Sequence, residues 1–385
     1  MDGNNHPLTP RAVEILKDLV AFDSVSRNSN LPIIHHIKEM IEQCGGHVEL
    51  DPSADGLKAN LIARFGPKAE GGMVWSGHTD VVPVDGQPWN TDPFSLTEKN
   101  GQLFGRGTSD MKSFLACCLA LAPQLKSLKA PVYFCFSYDE EVGCLGAPPL
   151  VRHLLKSGAK PCMAIIGEPT MMQVVTAHKG VLSYETTVRG LEWHSSQPHL
   201  GVNAVHIACE LVAFLAGMAK ELKEHGLRDE RFEPPHTTVH VGTISGGTAR
   251  NIIPLECKFH WEIRPLPNYD GDKLFERFHR KANELQAEMQ MVSKDASITT
   301  RPMSRMLGVT LPQHAEGECA RLMHAAGTNQ QLAVSFGTEA GVFNEGGIPA
   351  IICGPGDIRQ AHKPNEFIAI SQISECLNFL QKMVQ

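Results

Sequence analysis

Apolar residues recur along the first third of the chain in two rhythms, one helical and one strand-like. Val13, Leu16, Leu19 and Val20 fall on one helical face behind Thr9-Pro10. Thr9 is expected to cap that helix, and Pro10 to sit in its first turn, where a missing N–H costs nothing. A second helix is predicted over residues 31–44, stopped by Gly45-Gly46. Short apolar runs at 47–50, 60–65, 72–76, 132–137 and 163–166 read as strands, and residues 110–121 and 145–155 as helices between the later ones. Buried strands alternating with helices predict an α/β fold, a mainly parallel sheet flanked by helices. Functional groups are then expected at the carboxyl ends of the strands.

From about Val181 the pattern changes to strand (182–189), helix (203–223), two strands (237–244, 256–264) and helix (272–289). This order predicts a small α+β sandwich inserted into the first domain. The parallel pattern returns after about Ser297 and ends with a strand at 348–353 and a terminal helix at 371–383. Residues 1–180 and 297–385 are therefore read as one discontinuous domain, and 181–296 as the insertion. A length of 385 residues suits two domains.

Composition narrows the class. A hydrophobic content of 42% with 20% charged residues is that of a soluble globular protein. The net charge of -7 and scattered basic residues give no reason to expect nucleic acid or a membrane as partner. Neither a secretory signal nor a membrane-spanning run is visible. Eleven cysteines, most inside apolar runs and none in a C-x-x-C pair, read as reduced thiols of a cytoplasmic protein.

The chemistry gathers in five separated strings: Gly77-His78-Thr79-Asp80, Gly107-Thr108-Ser109-Asp110-Met111-Lys112, Asp139-Glu140-Glu141, Gly167-Glu168-Pro169-Thr170 and Gln360-Ala361-His362-Lys363-Pro364. Gly77 is expected to turn the chain sharply and present His78. Asp80, two residues on, would accept the other imidazole N–H and fix the tautomer. Alone, H-x-D is more often a satisfied loop histidine. Asp110 is expected at a helix start, where its two oxygens can bridge two cations. The string superficially resembles a dinucleotide loop, but the third glycine is missing and Asp110 would repel a pyrophosphate, so that reading of the loop is rejected and a nicotinamide oxidoreductase ranks last among the alternatives. Three adjacent acids at 139–141 repel one another unless cations neutralise them. Glu141 is assigned as a ligand and Glu140 as general base. One carboxylate and one imidazole on each of two ions, with Asp110 shared, suits zinc, cobalt or manganese better than magnesium. A separation of about 3.5–4 Å between the ions is expected of a two-metal hydrolase. In the insertion, His194, Asn251 and Arg264 offer an imidazole, an amide and a guanidinium for a substrate with an oxyanion and a free carboxylate, although alone His194 reads as a helix cap and Arg264 as a surface ion pair.

Taken in order, GHTDVVP (77–83), GRGTSDMK (105–112), DEE (139–141), GEPT (167–170), HKG (178–180), HSS (194–196), NIIP (251–254), RPLP (264–267) and QAHKPNE (360–366) resemble the co-catalytic zinc aminoacylase and carboxypeptidase family over nearly the whole chain. The strings AHKGV (177–181), GVNA (201–204) and GTEAG (337–341) are most similar to its acetylornithine deacetylase branch. The resemblance implies that His78, Asp110 and Glu168 hold one ion and Glu141, Asp110 and His362 the other, the ions being Zn(2+) or Co(2+). It implies Glu140 as base, with Asp80 orienting His78. It further implies a homodimer in which His194 reaches the partner's site, and Asn251, Arg264 and Thr338 as substrate contacts. The implied reaction is hydrolysis of a small N-acyl amino acid: N2-acetyl-L-ornithine in arginine biosynthesis, or alternatively N-succinyl-diaminopimelate or another acyl amino acid. A metal-binding regulator without turnover is the rival of a different class. One departure stands out: the family usually has a small residue where this chain has Trp193, and the indole is expected to crowd the turn before His194 or narrow the acyl pocket.

Overall fold

In the computed structural model, which describes residues 6–385, α1 (Thr9–Val20) buries Ala12, Ile15, Leu16, Leu19 and Val20. Its cap position is Leu8, and no side chain caps it. Thr9 is instead the first helical residue, buried, with its hydroxyl unpartnered. The cap expected of Thr9 is therefore not made, and Pro10 in the first turn starts the helix without it. α2 (Leu31–Gln43) ends at Gly45, whose φ of 80° supplies the left-handed stop.

Three strands follow, β1 (His47–Pro52), β2 (Ala59–Phe65) and β3 (Met73–His78), then a short pair, β4 (Thr97–Lys99) and β5 (Gln102–Phe104). α3 (Lys112–Leu121) is buried along its whole length, as its run Phe114–Leu121 of apolar residues and cysteines requires. β6 (Val132–Ser137), α4 (Ala147–Lys156), β7 (Met163–Pro169) and β8 (Val175–His178) complete the first passage. The second unit contributes β9 (Val181–Arg189), α5 (Ala204–His225), β10 (Thr238–Gly246), β11 (Glu256–Arg264), α6 (Asp272–Gln290) and β12 (Ser297–Met306). The chain returns through β13 (Val309–Thr310), α7 (Glu316–Ala326), β14 (Leu332–Val334), α8 (Ala340–Glu345), β15 (Ala350–Gly354), β16 (Phe367–Ala369) and α9 (Ile370–Val384).

The first unit takes the chain up to Ala177 with Val309–Ala333 and Thr338–Gln385. Its large sheet runs β1-β2-β6-β3-β7-β15-β8-β13, with β14 beside β8. The centre, β6-β3-β7-β15, is parallel, and β1, β2 and β8 join antiparallel. The central strands are buried throughout, which matches their unbroken apolar runs. The α/β class expected from the sequence is thus observed.

The second unit, His178–Gly308 with Val334–Gly337, is a four-stranded antiparallel sheet ordered β10-β11-β9-β12. Its core joins Leu211, Leu215 and Met218 of α5 to Phe259 and Trp261 of β11 and Phe278 and Leu285 of α6. Asn203 caps α5 by accepting from the His206 N–H. The expected return of the parallel pattern at 297 is corrected here. Residues 297–306 form β12, an antiparallel edge strand on β9, so the first unit resumes at Val309. Polar, half-exposed positions and Pro302 beside a register shift hid this strand; proline is tolerated in a sheet at such an edge bulge. Among the described residues no helix is long and apolar enough to cross a membrane.

Candidate metal centre

The carboxyl ends of the parallel strands carry most of the cluster. His78 is the last residue of β3, Asp139–Glu141 follow β6, Glu168 lies near the end of β7, and His362 follows β15. Gly77 does not turn the chain sharply; it is part of β3. A Cβ there would lie 2.5 Å from Met111 Cε and 3.2 Å from Leu115 Cδ2, so these two side chains occupy the space that the glycine leaves beside β3. Asp110 stands two residues before α3 rather than at its first position.

Asp110 is the hub. Its Oδ1 lies 3.1 Å from His78 Nε2, and its Oδ2 lies 3.3 Å from His362 Nε2. Each imidazole faces a second acid: His78 Nε2 is 3.7 Å from Glu168 Oε1, and His362 Nε2 is 2.9 Å from Glu141 Oε2. His78, Asp110 and Glu141 offer ligand atoms within 4.8 Å of one another, and so do His78, Glu140 and Glu168.

His78 Nδ1 donates to the Asp80 carbonyl at 2.9 Å, leaving the Nε2 lone pair for a cation. This corrects the expected role of the Asp80 side chain, whose carboxylate lies 3.8 Å from that nitrogen. The carboxylate instead accepts from Ser26 Oγ at 2.6 Å and from the Glu140 N–H at 3.1 Å. Asp80 therefore ties the end of β3 to the acidic turn, where Asp139 has φ 55° and pairs with Lys58.

The electrostatics are those of a cation site. Burial pushes the Glu140 carboxyl up to about 8, with Glu141, Glu339 and Asp110 adding repulsion against the favourable His78. Burial and Asp110 raise Glu141 to about 7, and burial raises Glu168 well above its usual range. Hydrogen bonds to Asp110 and Glu141 raise His362 to about 10. Burial opposes charge on His78, but Asp110, Glu168 and Glu140 outweigh it and hold its pKa well above the usual value. Glu168 Oε1 is buried without a hydrogen-bond partner. Converging acids, two imidazoles and an orphaned carboxylate oxygen fit divalent cations.

Two acids missed in the sequence lie behind the cluster. Glu339 is buried and accepts from Ser137 Oγ and, at 3.2 Å, from Ser76 Oγ. Glu366 is buried against the segment carrying Asp110. Both stand inside strings already singled out, GTEAG and QAHKPNE, so proximity to those motifs was the available signal. Thr338 is buried, and its hydroxyl accepts from the Ala340 N–H at the start of α8 at 3.1 Å.

In the second unit, residues 193–195 pair with 251–253: Ile253 N–H donates to the Trp193 carbonyl at 2.8 Å and Ser195 N–H to the Asn251 carbonyl at 3.1 Å. This brings His194 and Asn251 together, both exposed. His194 Nδ1 lies 2.7 Å from Ser196 Oγ. The Trp193 indole is turned outward, 43% exposed, and donates to Gln197 Oε1, so it does not crowd the turn. Arg264, at the end of β11, donates to both oxygens of Glu262 at 2.7 and 3.2 Å.

A mainly parallel sheet that brings two imidazoles to one buried carboxylate at its strand ends is the arrangement of a metal-dependent hydrolase. Residues 74–385 match peptidase family M20/M25/M40, and the chain belongs to that family of amide-bond hydrolases. It is similar to the acetylornithine deacetylase of Myxococcus xanthus, 36% identical over 96% of this chain and 95% of the relative. That of Pasteurella multocida is 34% identical over 97% of each. An M20 family metallo-carboxypeptidase of Sulfolobus solfataricus shares the fold, with a TM-score of 0.78 at 19% identity over 97% of this chain and 98% of that one.

Proposed function

We propose that the chain hydrolyses the amide of N2-acetyl-L-ornithine to L-ornithine and acetate, a step of arginine biosynthesis. The observation that carries the hydrolytic reading is the placement of His78 and His362 on opposite oxygens of Asp110, with Glu140 beside them. The substrate rests on similarity to acetylornithine deacetylases over nearly the full length of both chains.

His78, Asp110 and Glu168 would hold one divalent cation, and Glu141, Asp110 and His362 the other, as Zn(2+) or Co(2+). Cations bound there would polarise the acyl carbonyl and make water acidic enough to act near neutral pH. The residues do the rest. Asp80 fixes the turn that carries Glu140 and Glu141. Glu140 takes a proton from the attacking water on its carboxylate as the water oxygen bonds to the acyl carbon. It returns that proton to the leaving nitrogen as the C–N bond breaks; the second water proton stays on the product acid and passes to the freed amine, so acetate and an ammonium group result. His194 donates to the developing oxyanion, and Asn251 holds substrate oxygens. Arg264 does so after parting from Glu262. The protein is proposed to act as a cytoplasmic homodimer.

The test is amine release from N2-acetylornithine beside N-succinyl-diaminopimelate, with zinc or cobalt added. Faster turnover of the acetyl substrate supports the reading. Preference for the succinyl compound moves the activity to that substrate, and no turnover of any acyl amino acid overturns it.

A further inference from the structure

The segment carrying His362 contains another acid, Glu366, which the chemistry above does not use. It is 1% exposed, and both carboxylate oxygens are saturated. Oε2 accepts from Arg106 Nη1 at 2.7 Å and from the Gly107 N–H at 3.0 Å. Oε1 accepts from the Ser109 N–H at 2.7 Å and the Asp110 N–H at 3.0 Å. The Glu366 carbonyl accepts from the Gly105 N–H at 3.0 Å. Gly107, at φ 83°, lets the 105–110 segment curl so that these N–H groups converge.

A second route joins the same two segments. Arg106 Nη2 donates to Gln87 Oε1 at 2.6 Å, and Gln87 Nε2 donates to the His362 carbonyl at 3.0 Å. Asp110 and His362 are thus linked outside their own contact, through Glu366 on one side and through Arg106 and Gln87 on the other.

We propose that Glu366 is a positioning residue: it orients the Asp110 carboxylate against His362 and thereby builds the second cation position. This rests on the two-cation reading. A glutamine at 366 has the same shape but only one acceptor oxygen. Whichever way its amide is turned, its NH₂ group meets two donors. That change would tilt the 107–110 segment while leaving His78 and Glu168 on their own strands.

The test is calorimetric titration of the chelator-stripped full chain with Zn(2+). The unsubstituted protein is expected to take up two equivalents; one equivalent would overturn the two-cation reading itself. Glu366→Gln is expected to weaken the second equivalent by about 10–100-fold, as for groups behind metal ligands, and the first, which shares Asp110 but keeps His78 and Glu168, by a clearly smaller factor. Gln87→Leu, at a half-buried surface position, is expected to show the same selectivity with a smaller loss. A purely structural role would instead lower the melting temperature and both affinities together, and that result overturns the proposal. So does an unchanged second equivalent in folded Glu366→Gln. If that variant does not fold, Gln87→Leu decides: selective loss supports the proposal and unchanged binding overturns it.

Discussion

His362 Nε2 lies between Asp110 Oδ2, at 3.3 Å, and Glu141 Oε2, at 2.9 Å, on a backbone held at φ 63°. A left-handed conformation at a residue with a side chain costs about 1–3 kcal/mol and persists only where its surroundings enforce it. Here the Gln87 amide, donating to the His362 carbonyl, is one such restraint.

This relationship makes cation uptake a proton exchange. With His362 raised to about 10 and Glu141 to about 7, the stripped site carries protons at pH 7. A cation must displace them, so affinity rises with pH, by up to about tenfold per unit for each proton displaced. Titrations at pH 7 in two buffers of different ionisation heat are expected to give different apparent enthalpies. Identical enthalpies would show that no proton leaves.

Glu140→Gln keeps the size of the side chain and removes its ability to hold a transferable proton. Turnover is expected to fall by about 10²–10⁴-fold. Cation content, measured by elemental analysis after desalting, should remain that of the unsubstituted chain. Near-normal turnover would remove Glu140 from the base role.

His194→Ala is expected to lower turnover by about 10²–10³-fold, the scale of a lost oxyanion donor, with cation content unchanged. In a homodimer where this imidazole serves the neighbouring site, co-expressed His194→Ala and Glu140→Gln chains would form a mixed dimer with one intact site. Activity in the mixture above that of either variant alone is the expected result. No recovery from an established mixed dimer would exclude action across subunits.

His178 offers a pH effect in the second unit. It is fully buried, its Nε2 has no hydrogen-bond partner, and burial lowers its pKa from 6.5 to about 4. The unfolded chain therefore binds more protons between these values, so stability falls as pH drops through that window and is retained above it. The full contribution is about 3 kcal/mol. His178→Gln is expected to flatten the fall in melting temperature between pH 7 and 4.5. Parallel profiles for the two proteins would count against it.

Much of this molecule can be read from side-chain pattern. The β2, β3, β6 and β7 runs are apolar enough to demand burial; β2, β3 and β6 lie within two residues of their expected bounds, and β7 runs three residues further, through Glu168 to Pro169. β12 escaped because an edge strand with proline and exposed polar residues lacks that signature. The five acidic and histidine strings were legible for a related reason: charges and glycines at the ends of buried strands have few structural uses.

What sequence alone determined was the inventory: an α/β sheet, an α+β insertion, and which residues carry acids and imidazoles. Only the tertiary structure decided which atoms face each other. Nothing in the order of residues required Asp80 to give its carbonyl, not its carboxylate, to His78, or Glu366 to accept from the Asp110 N–H. Hydrogen bonds are short and directional, and these join residues up to 256 positions apart. Local propensity ranges over neighbours only, so such partners exist only once the sheet has brought its strand ends together.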